Sequence, residues 1–446
     1  ADTGGQTKYV LELANQLSKS EMVEKIEIVT RYIDDKNFSK DYSNAFEMIN
    51  DKLSIIRIKC SGSKYIEKEL LWPHLEEFAD KTIKYLKSQK RLPDLIHSHY
   101  GDAGYVCTQL TRFFGIPFIH TAHSLGRFKK QSLIADNFTE AEIEKKFHIS
   151  TRIKAEEYTF FYADNIITST KDEILKQYKL YDNYVKEKFI IIPPGINLEN
   201  FYPFNLKREW SDEENQIRVS LKDELWRFFI NMNKPIIFAL CRPEKVKNIS
   251  GLIKAYGENK DLQGKANLAI YAGIRKDIAQ MPDLAREVLT EMLLLMDKYN
   301  LYGKMAIPKQ NNQNEVPELY RLIAETRGVF VNSGFSENFG ITLIEAASIG
   351  VPVVATNDGG PKDILSNLIN GILVDVRDTN NISSAINKIL SDDNLWNTYS
   401  QNGISKVENH YSWKANVENY LNSVCKLLEK TKANPKTFIE TGRKFL

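Results

Sequence analysis

Two hydrophobic patterns alternate along the chain. Short, β-branched apolar runs recur, and longer stretches between them return to apolar residues every three or four positions. In the first half the short runs fall at residues 25–30, 54–59, 94–99, 117–122, 165–169 and 189–192, with helical patterns such as 70–87 and 140–162 between most of them. In the second half they fall at 236–241, 268–272, 305–308, 329–332, 352–356 and 372–374. Near-continuous apolar strands separated by helices predict parallel sheets buried on both faces. One such sheet per half makes an α/β chain of two doubly wound domains facing each other across a cleft.

Punctuation sets the boundaries. Pro193-Pro194-Gly195 stops a strand, so the first domain is expected over 1–200 and the second over 201–415. Residues 201–233 carry many charges around Trp210, Leu221, Leu225 and Trp226 and read as a connecting amphipathic helix. A last helix over 413–430 is expected to pack back towards the first domain through 416–432, ahead of a polar tail at 433–446. At the other end, Ala1-Asp-Thr-Gly-Gly-Gln6 is already a loop and runs straight into a helical pattern at Tyr9, Val10, Leu13 and Leu17. An α/β domain normally places a strand before such a turn, so the first domain is expected to lack its first strand.

A length of 446 residues exceeds what one core usually supports, which agrees with two domains. With 60 basic and 58 acidic residues the net charge is +2, which argues against a nucleic-acid or anionic-membrane partner and leaves room for local basic pockets. Cys60, Cys107, Cys241 and Cys425 lack CxxC spacing and read as buried thiols of a reducing, cytoplasmic compartment. No run approaches the ~18 apolar residues of a membrane span, and no segment reads as a signal peptide.

The densest chemistry lies in Glu337-Asn-Phe-Gly-Ile-Thr-Leu-Ile-Glu345, after a strand at 328–333. A helix is expected to open near Gly340 with Glu345 in its second turn. A helix N-terminus at the carboxyl end of a parallel strand suits a diphosphate. Carboxylates do not favour that phosphate, so Glu337 and Glu345 are read as accepting hydrogen bonds from sugar hydroxyls on either side of it. The pairing describes a sugar nucleotide; the plain alternative is two surface glutamates around an ordinary helix start.

Arg242 and Lys247 follow the first strand of the second domain, where a cation pair can neutralise a leaving diphosphate. In the first domain, adjacent glycines in Asp2-Thr-Gly-Gly-Gln6 permit close backbone approach to an anion. Four of the seven histidines form His97-Ser-His99 and His120-Thr-Ala-His123 at strand ends. Neither pair has HExxH spacing and no cysteine lies nearby, so no metal site is assigned. His123 is read as a partner for a sugar hydroxyl, and His97 and His120 as structural. Lys68, Lys129 and Arg152 could converge on one phosphate, although each alone reads as a surface charge. GxGxxG, Walker and Asp-x-Asp patterns do not occur, so Arg and Lys rather than a metal ion would neutralise a diphosphate.

With these residues in view, the chain resembles the sucrose-phosphate synthases, retaining glycosyltransferases of the GT-B fold with two Rossmann-like domains. The resemblance runs from Asp2 to about Leu428. Its carriers in the first half are Asp2–Gln6 with Lys8-Tyr9, Lys68-Glu-Leu-Leu-Trp-Pro73, His99-Tyr-Gly-Asp-Ala-Gly104, His123-Ser-Leu-Gly-Arg127 and Ile192-Pro-Pro-Gly195. In the second half they are Arg242–Asn248, Pro317-Glu-Leu-Tyr-Arg321, Glu337–Glu345 and Asp358-Gly-Gly-Pro361.

The resemblance implies transfer of glucose from UDP-glucose to fructose 6-phosphate, giving sucrose 6-phosphate and UDP without a cofactor or an essential divalent metal. It implies acceptor contacts from Gly5, Gln6, Lys68, Tyr100, His123, Ser124, Lys129 and Arg152. It implies donor contacts from Gly5, Arg242, Lys247 and Glu337, from Phe339, Gly340, Ile341, Thr342 and Leu343 at the helix start, and from Glu345 on the ribose. His123, Arg242, Lys247 and Glu337 would carry catalysis, with Glu337 on the transferred glucose. Front-face attack, in which the donor phosphate takes the acceptor proton, fits the lack of a glycosidase-type carboxylate pair. A sucrose-phosphate phosphatase is the implied downstream partner; the phosphatase domain fused in some relatives is not expected before Leu446.

Two rival readings remain. A sucrose synthase or another retaining GT-B enzyme would share the donor site, but three buried cations without a phosphate would be costly. An inactive sugar-nucleotide-binding protein would not be expected to keep Arg242, Lys247, Glu337 and Glu345 together.

Overall fold

The computed structural model of the chain describes residues 5–135, 137–310, 312 and 314–433. The chain divides into two compact units. One holds the residues up to Pro193 together with those from Asn416 onward; the other is Pro194–Ala415. Of the N-terminal motif, Asp2, Thr3 and Gly4 lie outside the described residues, as does the expected tail beyond Ala433.

The first unit contains strands β1 (Ile26–Arg31), β2 (Phe46–Asn50), β3 (Leu53–Ile58), β4 (Ile96–His99), β5 (Phe118–Thr121), β6 (Asn165–Thr168) and β7 (Phe189–Ile191). Its helices are α1 (Gly5–Ser18), α2 (Leu75–Ser88), α3 (Gly101–Phe114), α4 (Gly126–Ala135), α5 (Glu140–Phe147), α6 (Ile149–Tyr162) and α7 (Lys171–Lys176). The expected single sheet is corrected. The described strands form a three-stranded sheet in the order β1-β3-β2 and a separate, wholly parallel sheet in the order β4-β5-β6-β7.

β2 was not expected. It folds back on β3 as an antiparallel arm, and its Phe46 and Met48 are exposed, so no buried face marks it in the sequence. The expected helix over 140–162 is two helices. His148, with φ of 45°, ends α5 in the left-handed conformation and redirects the chain into α6. The helix expected over 70–87 begins only at Leu75, after two 3₁₀ turns, the second containing Pro73.

The second unit has strands β8 (Ile236–Cys241), β9 (Asn267–Ala272), β10 (Met305–Ala306), β11 (Val329–Asn332), β12 (Val353–Thr356) and β13 (Gly371–Val374). Its helices are α8 (Asp212–Trp226), α9 (Ile249–Glu258), α10 (Lys260–Lys265), α11 (Asp283–Lys298), α12 (Val316–Glu325), α13 (Ile341–Ile349), α14 (Pro361–Leu368), α15 (Thr379–Ser391) and α16 (Asp393–Tyr411). The final helix α17 (Trp413–Ala433) begins here and continues into the first unit. The connecting helix is α8, which opens on a capping box between Ser211 and Glu214.

The six strands pair in parallel in the order β10-β9-β8-β11-β12-β13. Alternate residues enter opposite cores: Ile236 and Phe238 of β8 pack on one side, Ile237 and Ala239 on the other. The chain leaves β8 for β9 and β10 on one flank and returns through β11 on the other. That reversal opens a crevice at the carboxyl ends of β8 and β11.

Cys60 and Cys107 are buried, but Cys241 and Cys425 are only half-buried, which corrects the reading of four buried thiols. Among the described residues no helix is long and apolar enough to cross a membrane.

Candidate functional site

The crevice of the second unit collects the residues singled out there. Arg242 leaves the end of β8, and Lys247 closes the 3₁₀ turn that follows. The Lys247 ammonium meets Glu337 Oε2 at 2.7 Å, with both side chains mostly buried. Asn332 Nδ2, at the end of β11, donates to the same oxygen at 3.3 Å. Arg242 is turned outward, pairing with Glu244 Oε1 at 2.8 Å and largely exposed.

The loop carrying Glu337 is held by backbone contacts. Glu337 N donates to Asp358 O at 3.2 Å, and Gly360 N donates to Glu337 O at 2.8 Å. A Cβ at Gly359 would overlap the Glu337 carbonyl, and one at Gly360 the Phe339 carbonyl. Both glycines are required for this close approach.

Gly340, with φ of 99°, caps α13, so Ile341, Thr342 and Leu343 form its first turn and Glu345 its second. The Leu343 side chain is buried in the core, so a ligand could meet only its backbone, and Phe339 packs half-buried against that core. The Ile341 side chain is exposed. Glu345 Oε2 accepts a long 3.4 Å bond from the buried Tyr320 hydroxyl.

The first unit builds a second site at the ends of β4 and β5. Parallel register sets Ser98 against His120 and His99 against Thr121, so both histidine pairs lie side by side. Tyr100 follows β4 with φ of 81°, a costly conformation for an aromatic residue, and its N–H donates to Thr121 O at 2.9 Å. His123 follows β5, also left-handed, with φ of 59°.

Around the Tyr100 ring stand Lys68, 5.8 Å from its centroid, and the Arg152 guanidinium, 4.6 Å away. Arg152 is buried on α6; its Nη2 donates to Ser124 O at 2.7 Å and more weakly to Ser124 Oγ at 3.3 Å. Lys129 lies on α4 with its ammonium 3.9 Å from the Phe147 ring centroid. Burial, and after it the positive charge of Arg152 with that of Lys68, pushes the Lys129 pKa down. The three cations therefore share one neighbourhood. Lys130, next to Lys129, instead pairs with Glu140 at 3.1 Å.

Gln6, near the start of α1, donates through Nε2 to His99 O at 3.4 Å, and Gly5 begins that helix. His97 bonds Thr121 Oγ1 and the Tyr420 hydroxyl, and His120 Nδ1 bonds Ser98 Oγ at 2.7 Å. Burial drives both rings down to a pKa of about 3 and His123 to about 4, so all three are neutral near pH 7. Among the described residues no group of three or more His, Cys, Asp or Glu could hold a metal ion.

Sequence reasoning missed Glu156, whose carboxylate binds Arg152 from inside the protein. Its one sequence signal is the i,i+4 spacing from Arg152 on α6. Asn332, which contacts Glu337, was missed, and Tyr320, which contacts Glu345, stood in the Pro317–Arg321 segment without a role.

Both halves of the chain match known protein families. The model of glycosyl transferases group 1 matches residues 222–406, and that of the sucrose synthase first GT-B domain matches residues 1–192. Sucrose-phosphate synthase 4 of Arabidopsis thaliana is 38% identical over 95% of this chain and 45% of its own length. The solved sucrose-phosphate synthase of Thermosynechococcus elongatus superposes with a TM-score of 0.70 at 24% identity, covering 96% of this chain and 94% of that one. Anabaena HepE, solved in complex with UDP-glucose, superposes with a TM-score of 0.63 at 13% identity, covering 95% of this chain and 97% of that one.

Two Rossmann-like units, with a strand-end crevice and the glycine-capped α13 in the second, give the chain the GT-B fold of glycosyltransferases. Within that fold, its sequence is similar to that of sucrose-phosphate synthases along 95% of its length. The chain spans about half the length of the curated relatives it matches, 45% of the Arabidopsis protein.

Proposed function

We propose that the protein transfers glucose from UDP-glucose to fructose 6-phosphate with retention of anomeric configuration, releasing UDP and sucrose 6-phosphate. The observation that carries this reading is the cation set of the first unit. Lys68, Lys129 and Arg152 gather near Tyr100, and the Lys129 ammonium makes no hydrogen bond or ion pair among the described residues. Three clustered cations suit an acceptor carrying a dianionic phosphate. Arg152 is already paired with Glu156 and Lys68 is exposed, so a sucrose synthase, whose acceptor has no phosphate, would leave Lys129 in particular without an anionic partner.

On the donor side, Arg242 and Lys247 bind the diphosphate next to the start of α13, Glu345 accepts from the ribose and Glu337 from the glucose. The acceptor's anomeric oxygen attacks the glucose C1 as the C1–O bond to the diphosphate breaks, and the departing phosphate oxygen takes the acceptor proton. His123 binds a sugar hydroxyl as a neutral imidazole. Positive side chains meet the growing phosphate charge, so a divalent metal is not essential. The product would pass to a sucrose-phosphate phosphatase.

Turnover of UDP-, ADP- and GDP-glucose, each with fructose 6-phosphate and with fructose, tests the reading. UDP-glucose with fructose 6-phosphate should be the preferred pair. Equal use of the two acceptors would overturn the phosphate assignment.

A further inference from the structure

Behind the Arg152 guanidinium lies a carboxylate that substrate cannot reach. Glu156 is fully buried, and three donors converge on it. Arg152 Nε donates to Oε1 at 2.8 Å, and Gly126 N reaches Oε2 at 2.9 Å and Oε1 at 3.2 Å. The Tyr181 hydroxyl donates to Oε2. Space around it is reserved by glycine: a Cβ at Gly126 would stand 2.9 Å from Oε2, and one at Gly101 would stand 3.4 Å from Oε1.

These contacts join two elements. Arg152 belongs to α6, whereas Gly126 is the first residue of α4, and Lys129 lies one turn further along α4. A single carboxylate thus sets the spacing between the two helices that present the cations. It also decides which edge of the guanidinium is available. Nε is taken by Glu156, Nη2 by Ser124, and Nη1 alone makes no hydrogen bond among the described residues.

We infer that Glu156 is a positioning residue for phosphate recognition, holding Arg152 and the first turn of α4 in one frame so that Arg152 and Lys129 meet the same phosphate. The inference rests on the acceptor reading proposed above. Glu156 touches no reacting atom. Buried ion pairs add little net stability over apolar packing, so orientation is what this one supplies.

The Glu156→Gln variant keeps the shape but replaces one acceptor oxygen by an NH₂ group, which then opposes a donor. In the full-length protein, the dissociation constant for fructose 6-phosphate should rise about tenfold, on the scale of one charge-assisted hydrogen bond. UDP affinity should stay within about twofold, and the preference for fructose 6-phosphate over fructose should narrow by the same decade. Tyr181→Phe, which removes one of the three donors, should shift the preference in the same direction by a smaller factor and serves if Glu156→Gln does not fold.

Arg152→Ala separates two kinds of failure. If it narrows the acceptor preference while Glu156→Gln and Tyr181→Phe leave it unchanged, the positioning role is overturned and the phosphate reading stands. If Arg152→Ala itself leaves the preference unchanged, the phosphate reading fails and this inference with it. Equal loss on both acceptors together with lowered UDP affinity in Glu156→Gln would mark a merely structural role and would also overturn the inference.

Discussion

His99 Nδ1 stands 3.0 Å from His123 Nε2, so two half-buried imidazoles share a hydrogen bond at the ends of adjacent parallel strands. One ring must donate and the other accept, which fixes complementary tautomers. His97 lies against His99 with ring centroids 4.1 Å apart, and the Tyr9 ring meets His99 and His123 edge-on. Burial holds all of these histidines in the neutral form.

Acid should therefore loosen the first unit before ordinary carboxylates titrate. In the unfolded chain these histidines titrate near about 6.5. In the fold, burial moves His97 and His120 to about 3, His123 to about 4, and His99 well down. The unfolded state thus binds more protons below its own pKa, and stability falls as the pH drops under it. Each histidine contributes a slope of up to roughly 1.4 kcal/mol per pH unit. Urea melts between pH 7 and 5 should show a steady decline, reduced in His120→Gln. A flat profile across that window would contradict the neutral, buried cluster.

At the donor site, Lys247→Ala should lower kcat/KM by at least ~100-fold, the scale of losing one preorganised charge-stabilising group. It also leaves Glu337, now paired at 2.7 Å, without its cation. Arg242→Ala should fall in the same range despite the side chain's exposure, because its partner Glu244 is a neighbour that a diphosphate can displace. Near-normal steady-state rates in both variants would mean that the diphosphate binds elsewhere.

Adjacent lysines on α4 give an internally controlled test of the acceptor site. Lys129→Ala should weaken use of fructose 6-phosphate by one to two decades, the value of about 1.5–3 kcal/mol for a charge-assisted bond. Lys130→Ala should leave it unchanged, since Lys130 faces Glu140. Acceptor saturation curves for the pair decide the matter, and equal effects would dissolve the distinction.

Exhaustive chelation should leave substantial transferase activity, because the donor diphosphate is assigned to Arg242 and Lys247. Complete loss with EDTA, restored by one particular divalent ion, would refute that assignment.

Strands buried on both sides announced themselves in the sequence. β8 and β9 are runs of apolar residues that any parallel sheet would bury, and their helices follow at the expected intervals. β2 did not, because an edge arm with exposed Phe46 and Met48 has no inward face to imprint on the pattern. The break at His148 was equally silent, since neither glycine nor proline marks it. Cations at strand ends were readable as chemistry because charge is rare there. Glu156 was not, for a glutamate in a charged helix looks like surface until its partners are known. The pairing of His99 with His123 depended on which strands are neighbours, and that is a property of topology rather than of local pattern.

The left-handed turn at His148 carries a consequence for chain length. Arg152 lies in the first turn of α6, and each residue of an α-helix turns the next by about 100°. One residue added or removed between His148 and Arg152 would swing the guanidinium from the Tyr100 ring, and one between Arg152 and Glu156 would part the pair. Natural length variation should therefore be tolerated before Thr139, in the stretch that joins α4 to α5, and be purged from 148–156. The proposed acceptor site would then be protected against insertions by angular phase as well as by residue identity.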